Sequence, residues 1–198
     1  MKLVVVAAGL SVPSSTRLLA DRLAAAVERR TPVDLRVVEL RNLAMEIAHN
    51  FTSGFPGRAL GEALDAVAEA DGLIAITPVF SASYSGLFKS FFDVLAKDAS
   101  AGKPVLIAAT GGSARHSLVL DHALRPLFSY LRAVVVPTGV YAASEDWGAE
   151  GLQERIERAA GELVSLIAGT PTAPEPTKKD DPEIVPFAQQ LAALRSTK

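Results

Sequence analysis

Two periods alternate along this chain. Residues 2–8 (KLVVVAA) form an apolar, β-branched run of strand length. Residues 15–30 then place Leu18, Leu19, Leu23, Ala26 and Val27 on one helical face. Residues 33–38 alternate apolar and polar, as in a half-exposed strand. A helix follows over 58–70, with Leu60, Leu64 and Val67 as its stripe. The pattern continues with a strand at 73–77, a helix at 85–97, a strand at 105–110 opened by Lys103-Pro104, a helix at 116–131, a strand at 133–140 and a long helix at 150–168.

The continuously apolar strands predict a parallel sheet covered on both faces, a three-layer α/β sandwich. Right-handed crossovers leave few arrangements. Five strands in this length predict the order 2-1-3-4-5, with ligands at the switch point between strands 1 and 3. Residues 1–168 form this domain. Residues 169–186 carry five prolines and four consecutive charges and read as an extended tail. Phe187, Leu191 and Leu194 restore helical spacing, for docking on the same subunit or on a partner.

The chain has 198 residues, 49% of them hydrophobic, enough for one domain with a sizeable core. A net charge of −2 offers no basic field for nucleic acid or a membrane surface. The absence of cysteine excludes disulfides, thiolate metal sites and cysteine nucleophiles. The N-terminal apolar run is too short to span a membrane and reads as a first strand, which makes the cytoplasm the default location. His49, His116 and His122 are scattered, so no metal set is visible.

The candidate chemistry sits in the loops that leave the strands. After strand 1, Ser11, Ser14, Ser15 and Thr16 precede or open a helix, with Arg17 beside them. Free backbone N–H groups and hydroxyls there form an anion site, although one serine suffices as a cap. The loop lacks both the G-K-[ST] ending of a P-loop and the G-x-G-x-x-G fingerprint. After strand 3, Pro78 ends the ladder, Val79 and Phe80 can grip a flat ring, and Ser81 to Ser85 add hydroxyls. Lys89 and Asp93 are spaced as a surface pair, and Phe88, Phe91 and Phe92 read as core or subunit contact rather than cofactor contact. After strand 4, Thr110, Gly111, Gly112 and Ser113 permit close backbone approach, with Arg115 and His116 following. After strand 5, residues 141–147 read either as a rim of the same cleft or, the favoured expectation, as a segment in which Ser144 or Asp146 caps the last helix while Trp147 packs. A phosphate site at one end and a neutral polar site at the other fit FMN.

At GLSVPSSTRLLA (9–20), TPVFSASYSGLFKSFFD (77–93) and ATGGSARHSLVLDHALRPLF (109–128), the chain resembles the NAD(P)H-dependent FMN reductases of the flavodoxin-like superfamily. It is most similar to the branch that supplies reduced flavin to luciferase-like monooxygenases. The resemblance implies that Ser11, Ser15, Thr16 and Arg17 hold the FMN phosphate. It also implies that Pro78, Val79, Phe80 and Ser81 line the isoalloxazine, and that Gly111 to Ser113 approach its pyrimidine side. Hydride would pass from NADPH or NADH to the flavin, with no catalytic side chain needed. A flavodoxin-type electron carrier and a quinone or azo reductase are the alternatives on this fold. The resemblance further implies a homodimer or dimer of dimers, with Phe88, Phe91 and residues 41–57 as candidate interface segments. A flavin-dependent monooxygenase is the implied partner.

Overall fold

A computed structural model of the chain describes residues 1–148 and 150–169. Five parallel strands carry the sheet's backbone: β1 (Lys2–Ala7), β2 (Asp34–Glu39), β3 (Gly72–Phe80), β5 (Pro104–Thr110) and the short β6 (Val134–Val135). Their order is β2-β1-β3-β5-β6, with β7 (Val140–Ala142) pairing further along β5. This is the expected order 2-1-3-4-5, except that the predicted fifth strand is split. Pro137, Thr138 and Gly139 interrupt it, and a proline cannot donate to a ladder. The Thr138 backbone N–H and hydroxyl both donate to Glu162, at 2.7 and 2.8 Å, which ties this break to the last helix.

Alternate side chains of the central strands enter opposite layers, as the pleat requires. Leu3, Val5, Ile74, Ile76, Leu106 and Ala108 meet α1 (Ser15–Glu28) and α6 (Glu150–Gly169). Val4, Val6, Leu73, Ala75, Val105 and Ile107 meet α3 (Arg58–Glu69), α4 (Gly86–Asp93) and α5 (Arg125–Tyr130). Phe88, Phe91 and Phe92 of α4 are fully buried in that second layer. Phe92 lies 4.8 Å from Phe88 and 5.0 Å from Phe128 between ring centroids. Each such burial contributes roughly 1.5–3 kcal/mol. Phe88 and Phe91 therefore fill this subunit's own core, one of their two expected roles, and not a subunit interface.

Three elements differ from the sequence reading. Residues 44–53, within the 41–57 segment to which no element was assigned, form helix α2 (Ala44–Ser53) after a 3-10 turn over Leu40–Leu43. Glu46 of this helix accepts the backbone N–H of Leu60 at 2.8 Å, closing the first turn of α3 from outside. Helix α4 ends at Asp93, short of residue 97. The stretch read as one helix over 116–131 begins with a 3-10 turn at Ala114–His116, widens into a π-turn at Leu120–Leu124, and only then becomes α5. The proline-rich tail and the helical stretch at 187–195 lie outside the described residues. No described helix is long and apolar enough to cross a membrane.

Candidate active site

The loops after β1, β3 and β5 meet at the carboxyl ends of the strands, around a cleft of about 400 Å³. The first loop brings Ser11, Ser15 and Thr16 to it, along with Leu10 and Ser14. Ser14 caps α1 by accepting the Arg17 backbone N–H at 3.2 Å. A Cβ on Gly9 would lie 2.1 Å from the Ser14 Oγ, so the loop closes on that cap only with glycine there. The first turn of α1 carries no acidic side chain, so its positive dipole end stays open to an anion. Thr16 is buried and shares a 2.8 Å hydrogen bond with the Thr110 hydroxyl, joining the loops after β1 and β5.

Arg17 is placed differently. Its guanidinium pairs with Asp21 at 2.8 Å and, more closely still, with Glu39 at the end of β2. It is absent from the cleft lining. Glu39 also holds Arg41 at 2.8 Å, and Arg41 Nη1 donates to the Ser11 carbonyl at 3.2 Å. Arg41 was not foreseen as a neighbour of this loop.

The second loop is a tight hairpin. Val79 pairs with Tyr84 and Phe80 with Ser83, which makes β4 (Ser83–Tyr84) antiparallel to β3. Ser81 and Ala82 connect them with φ of 48° and 66°. Two positive φ values are what a two-residue hairpin requires, normally from Asn or Gly. The buried Thr77 hydroxyl fixes its base, accepting the Ser85 N–H at 2.9 Å and donating to the Pro78 carbonyl at 2.9 Å. Ser85 is buried and caps α4 through the Phe88 N–H. Pro78, Val79 and Phe80 line the cleft, and Phe80 remains 48% exposed at its rim; Ser81 lies at the hairpin tip, outside the lining. Lys89 and Asp93 form the expected pair.

From the third loop, Thr110, Gly111 and Gly112 line the cleft. Ser113 stands behind them, its carbonyl accepting the Tyr141 hydroxyl at 2.8 Å. A Cβ on Gly111 would fall 2.2 Å from that hydroxyl. Burial, with Glu145 and Asp146 nearby, raises the Tyr141 pKa, so it remains a neutral donor. His116 is exposed and outside the lining. Ser144, expected as a helix cap, instead joins the cleft wall. Asp146 accepts the Ala143 N–H at 2.8 Å, and Trp147 packs under the Arg22 guanidinium, 5.2 Å from the ring centroid. No ionisable side chain lines the cleft among the described residues.

A doubly wound sheet with its cleft at this switch point is a flavodoxin-like α/β protein. Oxidised Flavodoxin 1 from Bacillus cereus shares the fold with a TM-score of 0.58 at 20% identity, covering 83% of this chain and 98% of that one. Within that class, the chain belongs to the NADPH-dependent FMN reductase family, whose profile matches residues 1–148. It is similar to the FMN reductase (NADPH) of Pseudomonas aeruginosa, with 40% identity over 85% of this chain and 93% of the relative. It is also similar to the NADH-dependent FMN reductase SfnF of Pseudomonas fluorescens, with 38% identity over 88% and 95%. Among solved structures, an oxidoreductase from Corynebacterium diphtheriae matches with a TM-score of 0.82 and 52% identity, covering 86% of this chain and 98% of that one.

Proposed function

We propose that this protein is an NAD(P)H-dependent FMN reductase, and that its reduced flavin serves a partner monooxygenase. The observation that carries the reading is a cleft lined, among the described residues, by hydroxyls, backbone and apolar side chains but no charge, with an acid-free helix N-terminus at one end. Those features fit FMN, which carries a phosphate at one end and a flat uncharged ring at the other. Ser11, Ser15 and the first N–H groups of α1 would hold the phosphate. Pro78, Val79 and Phe80 would flank the ring, and the Gly111–Gly112 backbone would approach its polar edge. When bound, FMN supplies the ring that accepts hydride from NADPH or NADH. The chain's contribution is orientation by three braced loops and neutral hydrogen-bond donors. With no ionisable side chain among the described residues of the lining, proton balance is left to water.

A homodimer is part of this reading. Met45, Phe51 and Phe55 in the 41–57 segment are strongly exposed, as are Leu10 and Val12 of the loop after β1. Such apolar groups favour self-association. A monomer in sedimentation at micromolar concentration would count against it. The activity itself is tested by NADPH and NADH oxidation with and without added FMN; no flavin-dependent turnover with either nucleotide would overturn the assignment.

A further inference from the structure

Arg17 and Arg41, the two arginines beside the loop after β1, are already ion-paired. Topology explains how: Ala7 and Glu39 are partners in the β1–β2 ladder, so the last residue of β2 stands beside the start of the loop after β1. Glu39 bridges Arg17 and Arg41, one carboxylate oxygen to each. Asp21 takes the other side of Arg17. Two positive groups thus meet two negative ones, and an incoming phosphate dianion finds no net charge there. The Arg41 network is also incomplete: its Nε is buried without an acceptor, while its Nη1 reaches the Ser11 carbonyl in the cleft wall.

We propose that Glu39 is an affinity-setting residue, which holds Arg17 and Arg41 in ion pairs so that a flavin phosphate is bound by neutral donors and released readily. The inference rests on the FMN reading above and deepens it by naming a residue that sets how tightly the phosphate is held. A phosphate carries close to two negative charges near neutral pH and gains most from charge-assisted bonds to arginine. Pairing both guanidiniums to Glu39 withholds that gain, and the carboxylate adds repulsion of its own. Glu39 does not line the cleft. It acts through the two arginines.

The test measures dissociation constants for FMN and for riboflavin, which has the ring but no phosphate, by quenching of flavin fluorescence. Glu39→Gln is expected to tighten FMN binding about tenfold, with a steeper salt dependence, and to leave riboflavin unchanged. Asp21→Asn, on the exposed side of Arg17, is expected to tighten FMN about twofold. Adding Arg17→Gln to Glu39→Gln should remove most of the gain. Unchanged or weaker FMN binding in Glu39→Gln, or an equal change for riboflavin, overturns the proposal. If Glu39→Gln does not fold, Asp21→Asn decides it: tighter FMN supports the proposal, and an unaltered constant overturns it. Failure of the underlying FMN reading would look different, since the unaltered protein would then bind neither flavin and oxidise no nucleotide.

Discussion

The two ends of the sheet handle buried polar groups in opposite ways. At the carboxyl ends of the strands, buried threonine hydroxyls pair with each other or with backbone: Thr16 with Thr110, and Thr77 with Ser85 and Pro78. At the opposite end, before β5, the chain buries a cation. Lys103 is only 8% exposed, and its ammonium donates to the Val67 and Ala68 carbonyls at the end of α3. That is where a helix dipole favours positive charge. Among the described residues, the cleft itself is thus lined by neutral groups that leave backbone free for a ligand. The far end uses charge to close a helix. Changes at the far end should move stability alone, while changes at the cleft end should move flavin affinity as well.

The largest expected effect tests the cleft end. Gly111→Val puts side chain where the Tyr141 hydroxyl sits and breaks its hold on Ser113. FMN affinity should fall about a hundredfold by fluorescence titration, with a smaller cost in stability. The far end is tested through pH. Burial lowers the Lys103 pKa from 10.5 to about 8. Because the unfolded chain keeps that proton to higher pH, stability should rise from about pH 8 to about 10.5. Relative to Lys103→Met, which lacks this titration, the rise should be on the order of 2 kcal/mol in urea unfolding, with flavin affinity unaltered in either protein. Stability that fell or stayed level against the Met variant over that window would refute the assignment.

Thr16→Val leaves the Thr110 hydroxyl buried without its partner. It should cost about 1–2 kcal/mol of stability and weaken FMN several-fold, because two cleft loops lose their tie. The smallest effect is at the hairpin tip. Ala82→Gly relieves a φ of 66° and should add about 0.5–1 kcal/mol without changing flavin affinity, as the tip lies outside the lining. A loss of stability there would show that the strain assignment is wrong.

Much of the fold was legible because it is periodic. The apolar runs at 3–8, 73–76 and 105–109 are strands buried on both faces, and the sheet order follows from crossover handedness. Helix α2 was missed although Leu40, Leu43 and Ile47, its buried residues and those of the turn before it, have helical spacing. It carries no side-chain N-cap to announce it, and its exposed Met45 and Phe51 blur the stripe. The hairpin was missed because Ser-Ala lacks the usual glycine or asparagine. Nine of the thirteen candidate site residues line the cleft, while Arg17, Ser81, Ser113 and His116 do not. Ser144 lay in a segment that also read as a rim of the cleft, whereas Arg41 had no local signal at all.

The sequence by itself determined the alternation of strands and helices, the end of the sheet where a ligand belongs, and the three loops that reach it. These are local or nearly local properties, written in spacing and in residue type. Only the tertiary structure decided which polar groups face the cleft and which are consumed in holding it. Thr16 meets Thr110 across 94 residues of chain, and Arg17 meets Glu39 across 22. A hydroxyl or guanidinium satisfies whichever partner packing brings within hydrogen-bond reach, and no local pattern records that choice.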